Sequence, residues 1–128
     1  MSKILVSGLV NTETTVKIKE FPIPYFPIDY PFFGVNTDVA GVAYNLSKAL
    51  KSLGDQVRLL SMTGSDFGGE YVRKEIEAIG IETVDMQQLR QTPNSVILYD
   101  GEGKRQIYCD LKDIQDMSFD FPREMYQD

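Results

Sequence analysis

Thr37-Asp38-Val39-Ala40-Gly41-Val42-Ala43-Tyr44-Asn45-Leu46-Ser47-Lys48-Ala49-Leu50-Lys51-Ser52-Leu53-Gly54 is the most regular stretch of this 128-residue chain. Val39, Val42, Ala43, Leu46, Ala49, Leu50 and Leu53 recur at the three, four and seven spacing of one apolar helix face. The spacing predicts a helix from Thr37 to Leu53. Thr37 or Asp38 would cap its start, and Gly54 would end it. Working outward, Lys3 to Ser7 reads as a short buried strand ending at Gly8. Gln56 to Met62 reads as a second buried strand. Phe67 to Ile79 reads as a second helix with Val72, Ile76 and Ile79 inward and Gly80 as its stop. Ile81 to Val84 reads as a third short strand. Strand, helix, strand, helix, strand predicts an α/β fold: a partial parallel sheet flanked by helices.

Two segments interrupt that alternation. Thr14 to Ile23 alternates Thr15, Lys17 and Lys19 with Val16, Ile18 and Phe21, as a strand with one wet face does. Ser95–Tyr99 and Lys104–Cys109 flank Asp100-Gly101-Glu102-Gly103, a strong hairpin signal. The strand and the hairpin are expected to form a separate small sheet. Between that strand and the first helix, Phe21 to Phe33 holds four prolines and six aromatics. Proline blocks helix and central strand alike, so an extended loop packed through its rings is expected. The density of rings disfavours the sharper reading of a polyproline peptide ligand. The tail from Asp113 to Asp128, with Phe119, Phe121 and Pro122, reads as an interrupted element rather than a domain end.

Composition narrows the function. The net charge is −6 and no Lys/Arg-rich run occurs, so neither nucleic acid nor an anionic membrane is expected as a partner. No apolar stretch is long enough to span a bilayer, and the apolar run at the N-terminus is too short for a secretion signal. Cys109 is the single cysteine, which excludes an intrachain disulfide and fits a reducing cytoplasm. In a strand with no base beside it, Cys109 is expected to be a small packed side chain. There is no histidine, which removes His-ligated metal sites and histidine-based nucleophile activation together. No metal site is expected in this chain.

The segment Ala40-Gly41-Val42-Ala43-Tyr44-Asn45 resembles the helix-start signature of the ribokinase/PfkB family of carbohydrate kinases. A glycine there lets backbone approach a ligand, and an amide one helical turn on offers donor and acceptor atoms to a polyol. Three further loops carry the resemblance in family order. Gly8-Leu9-Val10-Asn11-Thr12-Glu13 resembles the family's loop in which an acid holds a substrate hydroxyl, with Glu13 where Asp is usual. Thr63-Gly64-Ser65-Asp66-Phe67-Gly68 resembles its second loop. Thr92 and the turn Gly101 to Arg105 resemble its lid. The chain departs from the family in having Ala40 where a second glycine is common and Val42 where a lysine is common.

The resemblance implies a ribokinase-like fold: residues 1–128 as one partial domain, with a small β-lid built from about 12–24 and 92–111. It implies that Asn11, Glu13, Gly41 and Asn45 contact substrate, with Thr92 and Arg105 in the lid. It implies a sugar or nucleoside as substrate, with ATP and Mg2+ as cofactors of the full-length enzyme. In the family a C-terminal helix supplies the catalytic Asp and an anion hole in an Asp-Thr-x-Gly-Ala-Gly-Asp type run. No such run lies here. The ATP-binding C-terminal portion is therefore expected to be absent, with no catalytic residue and no bound cofactor in this chain, which is expected to be inactive alone. Asp66 stands at a helix start and superficially resembles that acid; capping and turn formation are the expected role. The chain has neither Gly-x-Gly-x-x-Gly after its first strand nor a Walker-type loop, which argues against a dinucleotide fold and a Walker NTPase. Two alternatives stay open. One is a non-catalytic binding or assembly module with a ribokinase-like half-sheet, forming a homodimer through lid strands. The other is a protein that merely shares an α/β sheet with kinases.

Overall fold

The computed structural model of the chain describes residues 1–84, 86–118, 123–125 and 127. Its elements are β1 (Lys3–Ser7), β2 (Asn11–Lys17), β3 (Val35–Ala40), α1 (Val42–Ser52), β4 (Gln56–Leu60), β5 (Thr63–Gly64), α2 (Phe67–Ala78), β6 (Glu82–Val84), β7 (Gln87–Leu89), β8 (Asn94–Tyr99) and β9 (Arg105–Asp110). Single 3-10 turns follow at Ile114–Asp116 and Arg123–Met125.

The α/β reading holds. β1, β4 and β6 form a parallel sheet in the order β1-β4-β6, with Lys3 opposite Gln56 and Arg58 opposite Glu82. Val6, Val57 and Leu59 from that sheet share one apolar cluster with Ala43 and Tyr44 of α1 and Val72 and Ile76 of α2. Both helices therefore cover the same face of the sheet. On the other face Arg58 pairs with Glu82 at 3.3 Å. Both helices end alike: Gly54 N–H bonds to the Lys51 carbonyl and Asp55 N–H to that of Leu50, and Gly80 and Ile81 repeat the pattern on Glu77 and Ile76.

The second sheet has the order β3-β2-β8-β9. Its central strands β2 and β8 run parallel, and the edge strands β3 and β9 run antiparallel to them. The expected hairpin is present as β8–β9. Asp100 fixes its turn, its Oδ1 accepting from the Glu102 and Lys104 N–H groups at 3.0 and 2.9 Å. We label this four-stranded sheet the lid after the role that the family resemblance leads one to expect of it. Its root lies at Asn11 and Asn94, and its tip at Lys17 and the Asp100 turn.

Several expectations need correction. The first helix does not begin at Thr37. Thr37, Asp38 and Val39 belong to β3, and neither Thr37 nor Asp38 is a cap; Gly41 takes that position with no side-chain cap bond. Residues 35–40 find hydrogen-bond partners along the whole of β2, from Val35 against Val16 to Ala40 against Asn11. That pairing overrides a helical spacing that Val39 satisfies only by coincidence. The inward face of α1 is also different. Val42, Leu46 and Leu53 are 78%, 48% and 79% exposed, while Ala43, Tyr44 and Ser47 are buried. Small side chains let the helix lie close to β1: a Cβ on Gly8 would come within 3.2 Å of the Ala43 Cβ.

The strand expected at Thr14 to Ile23 runs instead from Asn11 to Lys17, because β8 pairs with it from Thr12 to Lys17 and no further. The loop at 21–33 is extended, as expected, but it is not packed through its rings. Tyr25, Phe26, Tyr30, Phe32 and Phe33 are exposed, with Tyr30 and Phe32 stacked on one another at 6.4 Å between centroids. Cys109 lies in a strand but is exposed rather than packed, since β9 is an outer strand with all six residues exposed. Phe119, Phe121 and Pro122 of the tail lie outside the described residues.

Candidate functional site

The lid's side chains sort by strand alternation. Asn11 and Glu13 share one face of β2. Across β3, Ala40 stands opposite Asn11 and Asp38 opposite Glu13, so both project from that same face. Across β8, Ser95 joins them: its Oγ accepts from Asn11 Nδ2 at 2.9 Å and donates to Cys109 Sγ at 3.5 Å. Asn11 is 4% exposed, and its Oδ1 has no hydrogen-bond partner among the described residues. Thr12, on the opposite face, bonds to Asn94 Oδ1 at 3.1 Å.

Gly41 connects this face to α1. Its φ of 102° and ψ of 149° belong to a region that side chains avoid. A Cβ there would overlap the Leu9 carbonyl oxygen. That carbonyl already accepts from Ala43 N–H at 3.1 Å, which fixes the helix start against the β1–β2 loop. Asn45 follows one turn on, its N–H bonded to the Gly41 carbonyl at 2.9 Å and its side chain exposed and without a hydrogen bond among the described residues. The structure thus gathers Asn11, Glu13 and Gly41 at the lid root, with Asn45 on the first turn beside them. The same loop lines a cavity of about 340 Å³ at the carboxyl ends of β1 and β4, bounded by Ser7, Gly8, Leu9, Leu60, Ser61 and Ile114. Carboxyl ends of parallel strands are the usual place for ligands in open α/β sheets.

Thr92 and Arg105 are not brought together. Arg105 opens β9 at the tip, and Thr92 is buried two residues before β8 at the root. The span of β8, roughly 17 Å, separates them. Thr92 is instead one half of a knot with Asp66. The Asp66 carboxylate accepts from Thr92 Oγ1 at 2.6 Å, Thr92 N at 2.9 Å and Gly69 N at 2.9 Å. Asp66 caps α2, as expected. Burial works against its charge, but hydrogen bonds from the Thr92 hydroxyl and then from the Thr92 and Gly69 N–H groups outweigh it, and its carboxyl is held below the usual range. Arg73 braces the same corner, reaching Thr63 Oγ1 at 3.1 Å and the Gly64 carbonyl at 3.0 Å.

Sequence reasoning missed Asp38 and Ser95. The period-two pattern of Val35, Thr37 and Val39 against Asn36, Asp38 and Ala40 was the available signal for Asp38. The surroundings of Asp38 are acidic. Burial first, and the nearby Glu75 second, push the Tyr44 and Tyr71 hydroxyls up, and Asp38 adds to both.

Residues 1–125 match the profile of the pfkB family carbohydrate kinase. The chain belongs to that family. Among solved structures, a microbiome-derived acarbose kinase superposes on 93% of this chain and 39% of its own, with a TM-score of 0.81 and 22% identity. Ribokinase from Giardia lamblia covers 86% of this chain and 36% of its own, with a TM-score of 0.74 and 21% identity. Ribokinase from Cryptococcus neoformans in complex with ADP covers 85% and 33%, with a TM-score of 0.69 and 24% identity. These likenesses show the ribokinase-like fold. The chain spans less than two-fifths of the length of each of these PfkB-like kinases. No curated protein matches it.

The family implies a nucleotide and a metal for the whole enzyme. No group of three His, Cys, Asp or Glu among them is placed to hold a metal ion. Asp66, which caps α2, has both oxygens engaged by Thr92 and Gly69. No step of phosphoryl transfer is derived from these residues. Among the described residues, no helix is long and apolar enough to cross a membrane.

Proposed function

We propose that this chain carries the substrate pocket and lid of a cytoplasmic, ATP-dependent kinase that phosphorylates a hydroxyl of a sugar or nucleoside. The observation that supports it is the meeting of Asn11, Glu13 and Gly41 at the lid root, next to the first turn bearing Asn45. In this reading Glu13 accepts a substrate hydroxyl and Asn11 offers a second acceptor. Asn45 presents its amide from α1. ADP in the Cryptococcus relative supports nucleotide use by the whole enzyme. Phosphoryl transfer would need the parts of the relatives that this chain does not span.

Titration calorimetry of the 128-residue chain against ribose, hexoses and nucleosides tests the reading. Binding of at least one compound is expected, weakened about tenfold or more by Glu13→Gln, since a hydrogen bond to a charged group contributes about 1.5–3 kcal/mol. No binding at all, or binding indifferent to Glu13, counts against the site. With ATP and Mg2+ added, no ADP is expected to form; turnover by this chain alone would overturn the assignment of catalysis to another portion.

The exposed outer strand β9, with Ile107 and Tyr108 exposed on opposite faces, favours a second role for the lid as an assembly surface between two copies. Light scattering across a hundredfold concentration range is expected to show a dimer, reduced to monomer by charged substitutions at Ile107 and Tyr108. A monomer throughout removes this reading.

A further inference from the structure

Three polar side chains run across the root of the lid in one hydrogen-bonded row. Asn11 of β2 gives an Nδ2 proton to Ser95 Oγ of β8 at 2.9 Å, and Ser95 gives its own proton to Cys109 Sγ of β9 at 3.5 Å. Ser95 stands opposite Glu13 in the β2–β8 register and opposite Cys109 in the β8–β9 register. It therefore lies beside both β2 residues of the proposed site, yet it is itself 4% exposed and its one proton is already placed. Its neighbour on the same face of β8, Ile97, is buried and apolar. A buried hydroxyl in such a strand has to be hydrogen-bonded, and here its proton and a lone pair are both engaged.

An asparagine amide has two ends of nearly equal shape and opposite polarity, one an acceptor and the other a pair of donors. Which end meets Ser95 depends on where the single Ser95 proton goes. With that proton on Cys109, Ser95 presents a lone pair, and Asn11 answers with its nitrogen. Oδ1 is then left without a partner among the described residues, and Nδ2 keeps its second N–H. With the amide turned over, Oδ1 would take the Ser95 proton and the unpaired acceptor would be gone. We infer that Ser95 is a positioning residue for ligand binding. It holds the nitrogen end of the Asn11 amide against β8, with Cys109 as the acceptor of its own proton, and acts on a ligand only through Asn11. The inference rests on the site proposed above and adds the residue that fixes the polarity of one of its contacts.

The test is a double-mutant cycle on the 128-residue chain, read by calorimetry with whichever of ribose, the hexoses and the nucleosides binds the parent most tightly. Ser95→Ala is expected to weaken binding about fivefold or more in the parent and less than about twofold in the Asn11→Ala background, because residues of one hydrogen-bonded network do not act additively. A Ser95 that merely supported the lid would cost the same factor in both backgrounds, and that result would overturn the proposal. So would a Ser95→Ala chain that binds as tightly as the parent, or an Asn11→Ala chain that does, the last leaving a site carried by Glu13. A second measurement needs neither alanine variant. Cys109 is exposed on an outer strand, where a β-branched side chain is well accommodated, so Cys109→Val should fold as the parent does. That change removes the acceptor of the Ser95 proton, and the side-chain amide signals of Asn11 in a nitrogen–proton NMR spectrum should leave their parent positions. In the parent the same signals should move when the ligand is added. Asn11 signals that stay in place under either change would sink the proposal while leaving ligand binding itself intact. Binding of no sugar or nucleoside by the parent would remove this reading and the site together.

Discussion

Alanine in place of Gly41 should destabilise the chain by about 3 kcal/mol or more and abolish any ligand binding at the lid root. Two independent effects add. The backbone at φ 102° lies where a side chain is strained by about 1–3 kcal/mol. The added Cβ also meets backbone, the Leu9 carbonyl oxygen and Val10 Cα, rather than a flexible side-chain end that could move aside. Relief requires shifting either the β1–β2 loop or the start of α1, and those two segments carry Asn11 and Asn45. For a domain of this size the melting temperature should fall by about 10 °C. Gly101 is the internal control: nothing lies within 4 Å of a Cβ placed there. Gly101→Ala should change stability by less than about 0.5 kcal/mol. A Gly41→Ala variant as stable as Gly101→Ala would show that the strained helix start is not required.

Removing the Asp66 carboxylate should cost about 2–4 kcal/mol, read as a lower urea midpoint in Asp66→Ala. Losing a helix cap accounts for about 1 kcal/mol. The remainder comes from Thr92, whose buried hydroxyl and N–H both lose an acceptor, at about 1–3 kcal/mol for unsatisfied buried groups. Stability should also depend on pH through this residue. The folded carboxyl titrates below the unfolded one, so the unfolded chain takes up the proton first as pH falls. Asp66 therefore contributes in full above about pH 4, near the unfolded Asp value, and its contribution fades as pH drops through the lower folded value. The gap in urea midpoint between the parent and Asp66→Ala should narrow once the pH falls below about 4, the unfolded Asp value. A gap that stays constant from pH 7 to pH 3 would show that the carboxylate's charge has no part in the knot.

The elements that could be read from sequence are those whose signals are local. Gly80 after Ile76 and Ile79 marked the end of α2, and Asp100-Gly101 marked the hairpin, because each motif carries its own hydrogen bonds. β3 could not be read in this way. Its partner β2 lies about twenty residues earlier, and Val39 happens to continue the helical spacing of Val42 and Ala43. That one error hid Asp38: read as a cap, it had no reason to be compared with Glu13. The glycine and amide of α1 were visible as a motif, but the side of the helix that turns inward was not. Ala43 and Ser47 face the core because close approach to β1 favours small side chains there, a tertiary constraint that hydropathy cannot express. The exposed rings of the 21–33 loop were misjudged for the opposite reason, since their hydrophobicity says nothing about whether anything lies over them.

The knot at Thr92 makes the lid a cantilever. β2 and β8 leave the body side by side, clamped where Thr12 N–H meets the Pro93 carbonyl and where Thr92 is tied to the head of α2. Stiffness should therefore fall along the beam from root to tip. Bending would displace Arg105 and the Asp100 turn most, while Asn11 and Glu13 barely moved. On the function proposed above, an element of this kind would sweep its free end across an incoming molecule without disturbing Asn11 and Glu13.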